Sequence, residues 1–234
     1  MVPEQHKHIP PQWRYGDAGD RYPVSIGDIW RVGNHLFVCG DLEEGYAQKL
    51  LAYSDIPPVA TFVDPPWIAS NATAFRTKAG VPRKVDYMHL MSCIFDTIAH
   101  IPLCVMIMGN RSYEQIMELG KQKGFAHARS FPMFYYRVHS CRLLLFSQGL
   151  LDFEPPCADE DPVWIACMDA MLTSGDTIFD PCVGRGGTAI HAHQHGCTMI
   201  GMELHPRRLA VTLDRLEKAG AGTPQKIGVL DAIQ

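Results

Sequence analysis

The run Asp176-Thr177-Ile178-Phe179-Asp180-Pro181-Cys182-Val183-Gly184-Arg185-Gly186-Gly187-Thr188-Ala189, together with the segment after it, limits the fold of this chain more than any other stretch. A helix-like stretch from Ile190 to His195 comes next, then Thr198-Met199-Ile200-Gly201-Met202-Glu203. Strand, glycine-rich turn, helix, strand and acid in that order make a βαβ unit, which commits the chain to an α/β fold with a parallel sheet. The glycines let backbone approach a ligand closely, and an acid ending the second strand can accept both hydroxyls of a ribose. Glu203 lies 23 residues after Asp180, near the roughly 20 expected of a ribose-binding acid. No G-x-G-x-x-G pattern and no G-K-S/T follows, so neither a nicotinamide turn nor a phosphate loop is present. A nucleoside-bearing cofactor is the reading this unit supports. A purely structural glycine turn is its alternative.

A second constellation is Asp64-Pro65-Pro66-Trp67, placed directly after the apolar run Val59-Ala60-Thr61-Phe62-Val63. A strand that stops on an acid, two prolines and an aromatic exposes those groups at its carboxyl end. The prolines fix φ and donate no N–H, so the turn is stiff and its carbonyls can accept hydrogen bonds. A carboxylate, a carbonyl and a flat ring held together suit a planar amine, such as the exocyclic NH2 of adenine or cytosine. A Pro-rich loop with Asp64 as a helix N-cap is the other reading of the same four residues.

Together the two sites resemble the S-adenosylmethionine-dependent amino-methyltransferases of DNA, which act on adenine N6 or cytosine N4. The catalytic signature of that family, D/N/S-P-P-Y/F/W, is matched by Asp64, Pro65, Pro66 and Trp67, and its cofactor signature, D-P-F-x-G-S-G-T-T, by Asp180 to Thr188. The catalytic motif comes first, which looks like the circularly permuted β class. Gly27-Asp28-Ile29-Trp30-Arg31-Val32-Gly33-Asn34-His35 with Cys39-Gly40-Asp41 resembles the amino-terminal hairpin and strand end of such enzymes, many of them phage-encoded. The resemblance spans roughly residues 26 to 219. It implies a Rossmann-like methyltransferase sheet, mostly parallel with an antiparallel strand pair and helices on both faces. It also implies Asp64, Pro65, Pro66 and Trp67 as catalytic residues, S-adenosylmethionine as cofactor, and Asp41, Asp180, Pro181, Cys182, Gly184, Gly186, Thr188 and Glu203 as its binding residues. Departures are clear: Cys182 replaces Phe, Arg185 replaces Ser, Gly187 replaces the first Thr, and Asp161-Pro162 stands where many members carry Lys-Pro. Arg185 either pairs with the cofactor carboxylate or faces solvent.

Hydrogen bonds from an exocyclic amine to Asp64 and to the Pro65 carbonyl would favour a pyramidal nitrogen and aim its lone pair at the methyl. No strong general base is then needed, because orienting the reactants supplies several kcal/mol of the barrier. A base in a duplex must first be flipped out. Trp67 is the stacking partner, with Phe134, Tyr135 and Tyr136 as candidates for the opposite face or for the core. Asp first and Trp last lean by resemblance toward adenine N6. The alternatives are cytosine N4, an RNA or protein-amide methyltransferase, and an inactive scaffold that binds a partner.

Charge restrains the DNA reading. Formal net charge is −4 and the pI about 6.2, whereas a self-sufficient DNA binder shows a basic surface. One local exception is the stretch Ile68–Val85, read as a polar loop, which carries Arg76, Lys78, Arg83 and Lys84 and no acid. These four are the candidate nucleic-acid residues, with Arg129, Arg137 and Arg142 in support. The link Leu150–Asp161 is short and acidic, too small for a target-recognition region. Sequence specificity is therefore expected to be loose, or supplied by a homodimer or another subunit. A role in restriction-modification, phage self-protection or regulation is left open.

The 8 cysteines are scattered singly and read as reduced thiols, neither a disulfide framework nor a zinc cluster. His191 and His195 would share a helix face, but no nearby acid or Cys completes a metal set. No apolar run reaches membrane-span length and no signal peptide is apparent, so a soluble cytoplasmic protein of a bacterium or phage-infected cell is expected.

The expected organisation is a flexible arm over 1–25, one domain over 26–222 and a tail over 223–234. The domain divides into a catalytic half, 26–150, and a cofactor half, 160–222. Expected elements are a hairpin (Ile29–Arg31, Leu36–Cys39), helices at about Glu43–Ala52, Tyr87–Ala99 and Tyr113–Gln122, and a strand at Leu103–Met108. An antiparallel pair (Phe131–Arg137, Arg142–Ser147) and a final helix, Pro206–Lys218, complete the set.

Overall fold

The computed structural model of this 234-residue chain describes residues 16–231. The hairpin forms first, as β1 (Asp28–Val32) and β2 (His35–Cys39). A 3-10 turn at Leu42–Glu44 and α2 (Tyr46–Ser54) lead to β3 (Ala60–Val63). Then come α3 (Ala69–Lys78), α4 (Tyr87–Ile98), β4 (Leu103–Gly109), α5 (Tyr113–Gln122), and the long pair β5 (His127–Tyr135) and β6 (His139–Ser147). The chain finishes with α6 (Glu160–Met171), β7 (Thr177–Asp180), α7 (Gly187–Gln194), β8 (Thr198–Glu203), α8 (Pro206–Lys218) and β9 (Gln225–Val229), a short helix α1 (Ala18–Arg21) preceding them all.

All 9 strands join one sheet in the order β5-β6-β4-β3-β7-β8-β2-β1-β9. The five central strands β4, β3, β7, β8 and β2 run parallel, and both flanks are antiparallel. Alternation of side chains splits the core into two layers, as a pleated strand requires. Along β4, Leu103, Val105 and Ile107 face one layer with Val163 and Trp164 of α6, Ala189 of α7 and Leu209 and Leu213 of α8. Cys104, Met106 and Met108 face the other, with Leu50 of α2, Ala72 of α3, Met91 and Ile94 of α4 and Ile116 of α5. Both faces of the sheet are therefore covered, and the central strands read as continuous apolar runs.

From β3 the chain moves outward to β4, and from β7 it moves the other way to β8, so β3 and β7 are the neighbours between which strand order reverses. Ligands of open α/β sheets bind at the carboxyl ends of such strands. Asp64 comes directly after β3, and Asp180 ends β7. Thus the topology alone brings the two sequence motifs, over a hundred residues apart, to one crevice.

Several expectations need correction. The 223–234 tail contains β9, which pairs antiparallel with β1 and ties Lys226 to Asp28 at 2.6 Å. The arm over 1–25 lies outside the described residues up to 15. Beyond that it packs: Tyr22 is buried, and Arg21 bonds Asp214 and Glu217 of α8. The division into halves also fails, because β2 pairs with β8, setting Cys39 opposite Glu203. The amino-terminal hairpin belongs to the cofactor side of the sheet. Residues 69–78 form a helix and not a loop, and α6 arises where the sequence suggested only an acidic link. Glu160 and Asp161 sit in its first turn, where carboxylates suit the helix dipole, and Pro162 falls where a missing N–H is harmless.

Candidate active site

Two adjoining hollows lie over the carboxyl ends of β3, β7 and β8. The inner one, about 90 Å³, is lined by Gly40, Asp41, Pro181, Cys182, Glu203 and Leu204 among others. The outer cleft, about 610 Å³, is lined by Pro65, Trp67, Tyr135, Glu160, Trp164, Gly184 and Thr188 among others. Asp64, Pro66, Phe75, Cys182 and Arg208 border both. The carboxylate of the first motif thus stands on the boundary between a small pocket and a large one.

Asp64 is held from two sides. Its Oδ1 accepts from Trp67 Nε1 at 2.9 Å and its Oδ2 from the Tyr135 hydroxyl at 2.9 Å. Each carboxylate oxygen carries two lone pairs, so each keeps capacity for another donor. Trp67 is itself fixed: it meets Tyr135 edge to face (5.1 Å, 71°), its carbonyl accepts from Ser112 Oγ at 3.0 Å, and it packs on Gly109. Burial pushes the Asp64 carboxyl up to about 6, with the bonds from Trp67 and Tyr135 and the charge of Arg208 pulling the other way. Asp64 does not cap a helix, since α3 starts after Ile68, and the Pro-rich capping reading fails.

The glycine turn divides its labour. Glu203 Oε2 accepts from Gly184 N and its Oε1 from His205 N, each at 2.8 Å. This fixes the acid at the rim of the inner hollow, and burial raises its carboxyl above the usual range. Asp180 lies under the turn. Its Oδ1 accepts from Cys182 N at 2.8 Å, and burial pushes the carboxyl up to about 8, with that bond and the Thr188 hydroxyl pulling the other way. Gly186 is buried at φ +76°, and a Cβ there would come within 2.7 Å of Thr212 Cγ2. Gly186 thus serves the close packing of α7 on α8 and does not line the cleft, contrary to its expected place among the cofactor residues.

Asp41, expected at the cofactor, lines the inner hollow, with both its oxygens bonded to Arg76 and Oδ1 also accepting from Glu43 N at 3.1 Å. Arg76, expected on nucleic acid, is 2% exposed and bonds Asp41 and Glu43 under the inner hollow. Arg83 reaches the same pair, with Glu43 at 2.7 Å. Two of the four basic residues are thus committed to carboxylates, leaving Lys78 and Lys84 exposed. Arg129 is likewise spent on the carbonyls of Leu151 and Phe153.

Residues that the sequence did not mark complete the site. Glu160 borders the outer cleft with Oε2 buried and unpartnered, and burial with the nearby charges of Asp64, Asp161 and Asp159 pushes it up to about 8. Arg208 lies over the Phe75 ring at 4.5 Å between the two hollows. No spacing rule links either to Asp64. Their part is set by where α6 and α8 begin. His191 and His195 pair instead with Asp161 (2.9 Å) and Asp169 (3.3 Å). All eight cysteines are free thiols.

Sheet order, switch point and twin hollows define a Rossmann-like methyltransferase fold. No family model matches the chain, and no curated protein matches it. Among solved structures, the chain is similar to TTHA0409 of Thermus thermophilus, assigned as a DNA modification methylase. In complex with S-adenosyl-L-methionine, that protein shares 17% identity over 86% of this chain and 99% of its own, with TM-score 0.56. It is also similar to the M1.HpyAVI–SAM complex (13% identity, 77% of this chain and 98% of that one, TM-score 0.57). A third is the PvuII cytosine-N4-specific DNA methyltransferase (14%, 80% and 90%, TM-score 0.51). At such identities the likeness is one of fold.

Proposed function

We propose that this chain transfers a methyl group from S-adenosylmethionine to the exocyclic amino group of a base in DNA, adenine N6 in the first place. The observation that carries the reading is the position of Asp64, braced by Trp67 and Tyr135 where the inner hollow opens into the outer cleft. The residues present fit the cofactor: Glu203 is fixed at the rim of the inner hollow, where it suits the ribose hydroxyls, and Gly40, Pro181 and Cys182 border the same hollow. When bound, S-adenosylmethionine supplies an electrophilic methyl on a sulfonium.

The chain's own part is binding and orientation. Asp64 and the Pro65 carbonyl accept the two amine hydrogens and localise the nitrogen lone pair. Asp64, poised near 6, would take the proton that the amine nitrogen sheds on methylation. The cleft between Tyr135 and Trp164 is roomy enough for an extruded base. Cytosine N4 is the second reading, favoured by the likeness to the PvuII enzyme.

The test is methyl transfer from labelled S-adenosylmethionine to unmethylated genomic DNA, with nucleoside analysis and an Asp64→Ala control. N6-methyladenine that disappears in the control is the expected result, and N4-methylcytosine would establish the second reading. No incorporation in spite of cofactor binding would refute both.

A further inference from the structure

The outer cleft is lined by unlike groups on its two sides. From β3 and the start of α6 come the carboxyls Asp64, Glu160 and Asp161, whereas the turn before α7 and the face of α8 supply Arg185, Arg208 and Arg215. The helices α6, α7 and α8 pack in that order, so the α6 carboxyls and the α8 arginines are separated by α7. Arg208 and Arg215 are seven residues apart and share one face of α8, about 10 Å apart along its axis. Arg215 Nη1 donates to the Arg185 carbonyl at 2.7 Å, which holds that guanidinium at the rim. Neither Arg208 nor Arg215 has an ion-pair partner among the described residues, whereas Arg76 and Arg83 are both consumed by Asp41 and Glu43.

A nucleotide has the complementary polarity, with an amine donor on the base edge and an anion on the backbone. Net charge of −4 gives the whole protein no pull on a polyanion, so attraction must come from a local group of cations. We infer that Arg208 and Arg215 form a phosphate-binding rim for the DNA strand that carries the acceptor base. The inference rests on the methyltransferase reading and replaces the basic stretch 68–85 as the principal backbone contact. It also sets a direction: the strand passes over α7 and α8, away from the acidic Asp152–Asp161 segment.

The test is fluorescence anisotropy of a labelled single-stranded DNA oligonucleotide with the full chain, over a range of KCl. The variants are Arg215→Gln and a charge-matched control, Lys121→Gln at the end of α5. Arg208 is left intact because it also borders the inner hollow, and thermal melting confirms that both variants fold. Losing one phosphate contact flattens the slope of log K against log salt by about 0.7, and weakens binding several-fold at low salt. The control behaves as wild type.

A variant as tight and as salt-sensitive as the control overturns the rim, and leaves the enzymatic reading standing if wild type methylates DNA. Arginine-dependent binding without any methyl transfer keeps the rim and removes the reading. Wild type that binds no DNA overturns the rim, and tighter binding of an RNA of the same sequence overturns the assignment to DNA.

Discussion

Replacing Tyr135 with Phe removes one hydroxyl and keeps the ring that packs on Trp67. That hydroxyl donates to Asp64 Oδ2 at 2.9 Å and is one of the groups opposing the upward push of burial on the carboxyl. A hydrogen bond to a charged group contributes roughly 1.5–3 kcal/mol. Asp64 retains the bond from Trp67 and borders an open cleft, so the low end applies. At about 1.4 kcal/mol per pKa unit, the carboxyl rises by about one unit, from about 6 to about 7. Transfer needs the ionised form, so activity climbs as pH rises through that value. Near pH 6.5 the ionised fraction falls from about three-quarters to about one-quarter, a roughly three-fold loss of kcat, and near pH 8.5 the ionisation difference vanishes. The assay is kcat for methyl transfer against pH at saturating cofactor and DNA, wild type beside Tyr135→Phe. An unchanged midpoint with equal loss at every pH would refute the reasoning, and would mean that Tyr135 contributes only packing.

Arg76→Met leaves Asp41 and Glu43 as buried carboxylates with Arg83 as their one remaining guanidinium. Stability should fall by about 3–5 kcal/mol, with a melting temperature lower by about 6–20 °C, and a variant as stable as wild type would remove Arg76 from the structural account. Glu160→Gln tests linkage. The folded carboxyl titrates at about 8 against about 4.3 unfolded. The native state therefore holds the proton that the unfolded chain has lost, and wild-type stability declines as pH rises between those values. The Glu160→Gln variant is expected to melt higher than wild type at pH 8 and alike at pH 4, and the reverse order would show that Glu160 is paired and ionised.

How much of this was legible in one dimension depended on the kind of signal. The βαβ unit, the hairpin and the helix Pro206–Lys218 carry strong local patterns, and they stand where those patterns put them. Helix α3 was invisible because its buried anchor is Arg76 and not an apolar stripe. A helix closed by an ion pair shows no hydrophobic period. Strand β9 was missed because Gln225, Lys226 and Gly228 are the residues of an exposed edge. The same blindness misdirected the basic stretch: sequence shows that Arg76 and Arg83 are cations, and only packing shows that Asp41 and Glu43 have claimed them.

From residue order alone come the two strand-ending motifs, the acid that closes β8 and the class of fold they need, because turn chemistry and the alternation of side chains are local. Tertiary structure decided what faces what. The switch point between β3 and β7 joined Asp64 to the glycine turn, Tyr135 arrived from the β5–β6 hairpin to brace it, and α6 and α8 set carboxyls on one side of the cleft and arginines on the other. Those pairings join residues tens to more than a hundred positions apart, and no local pattern encodes a distance that only the packed sheet closes.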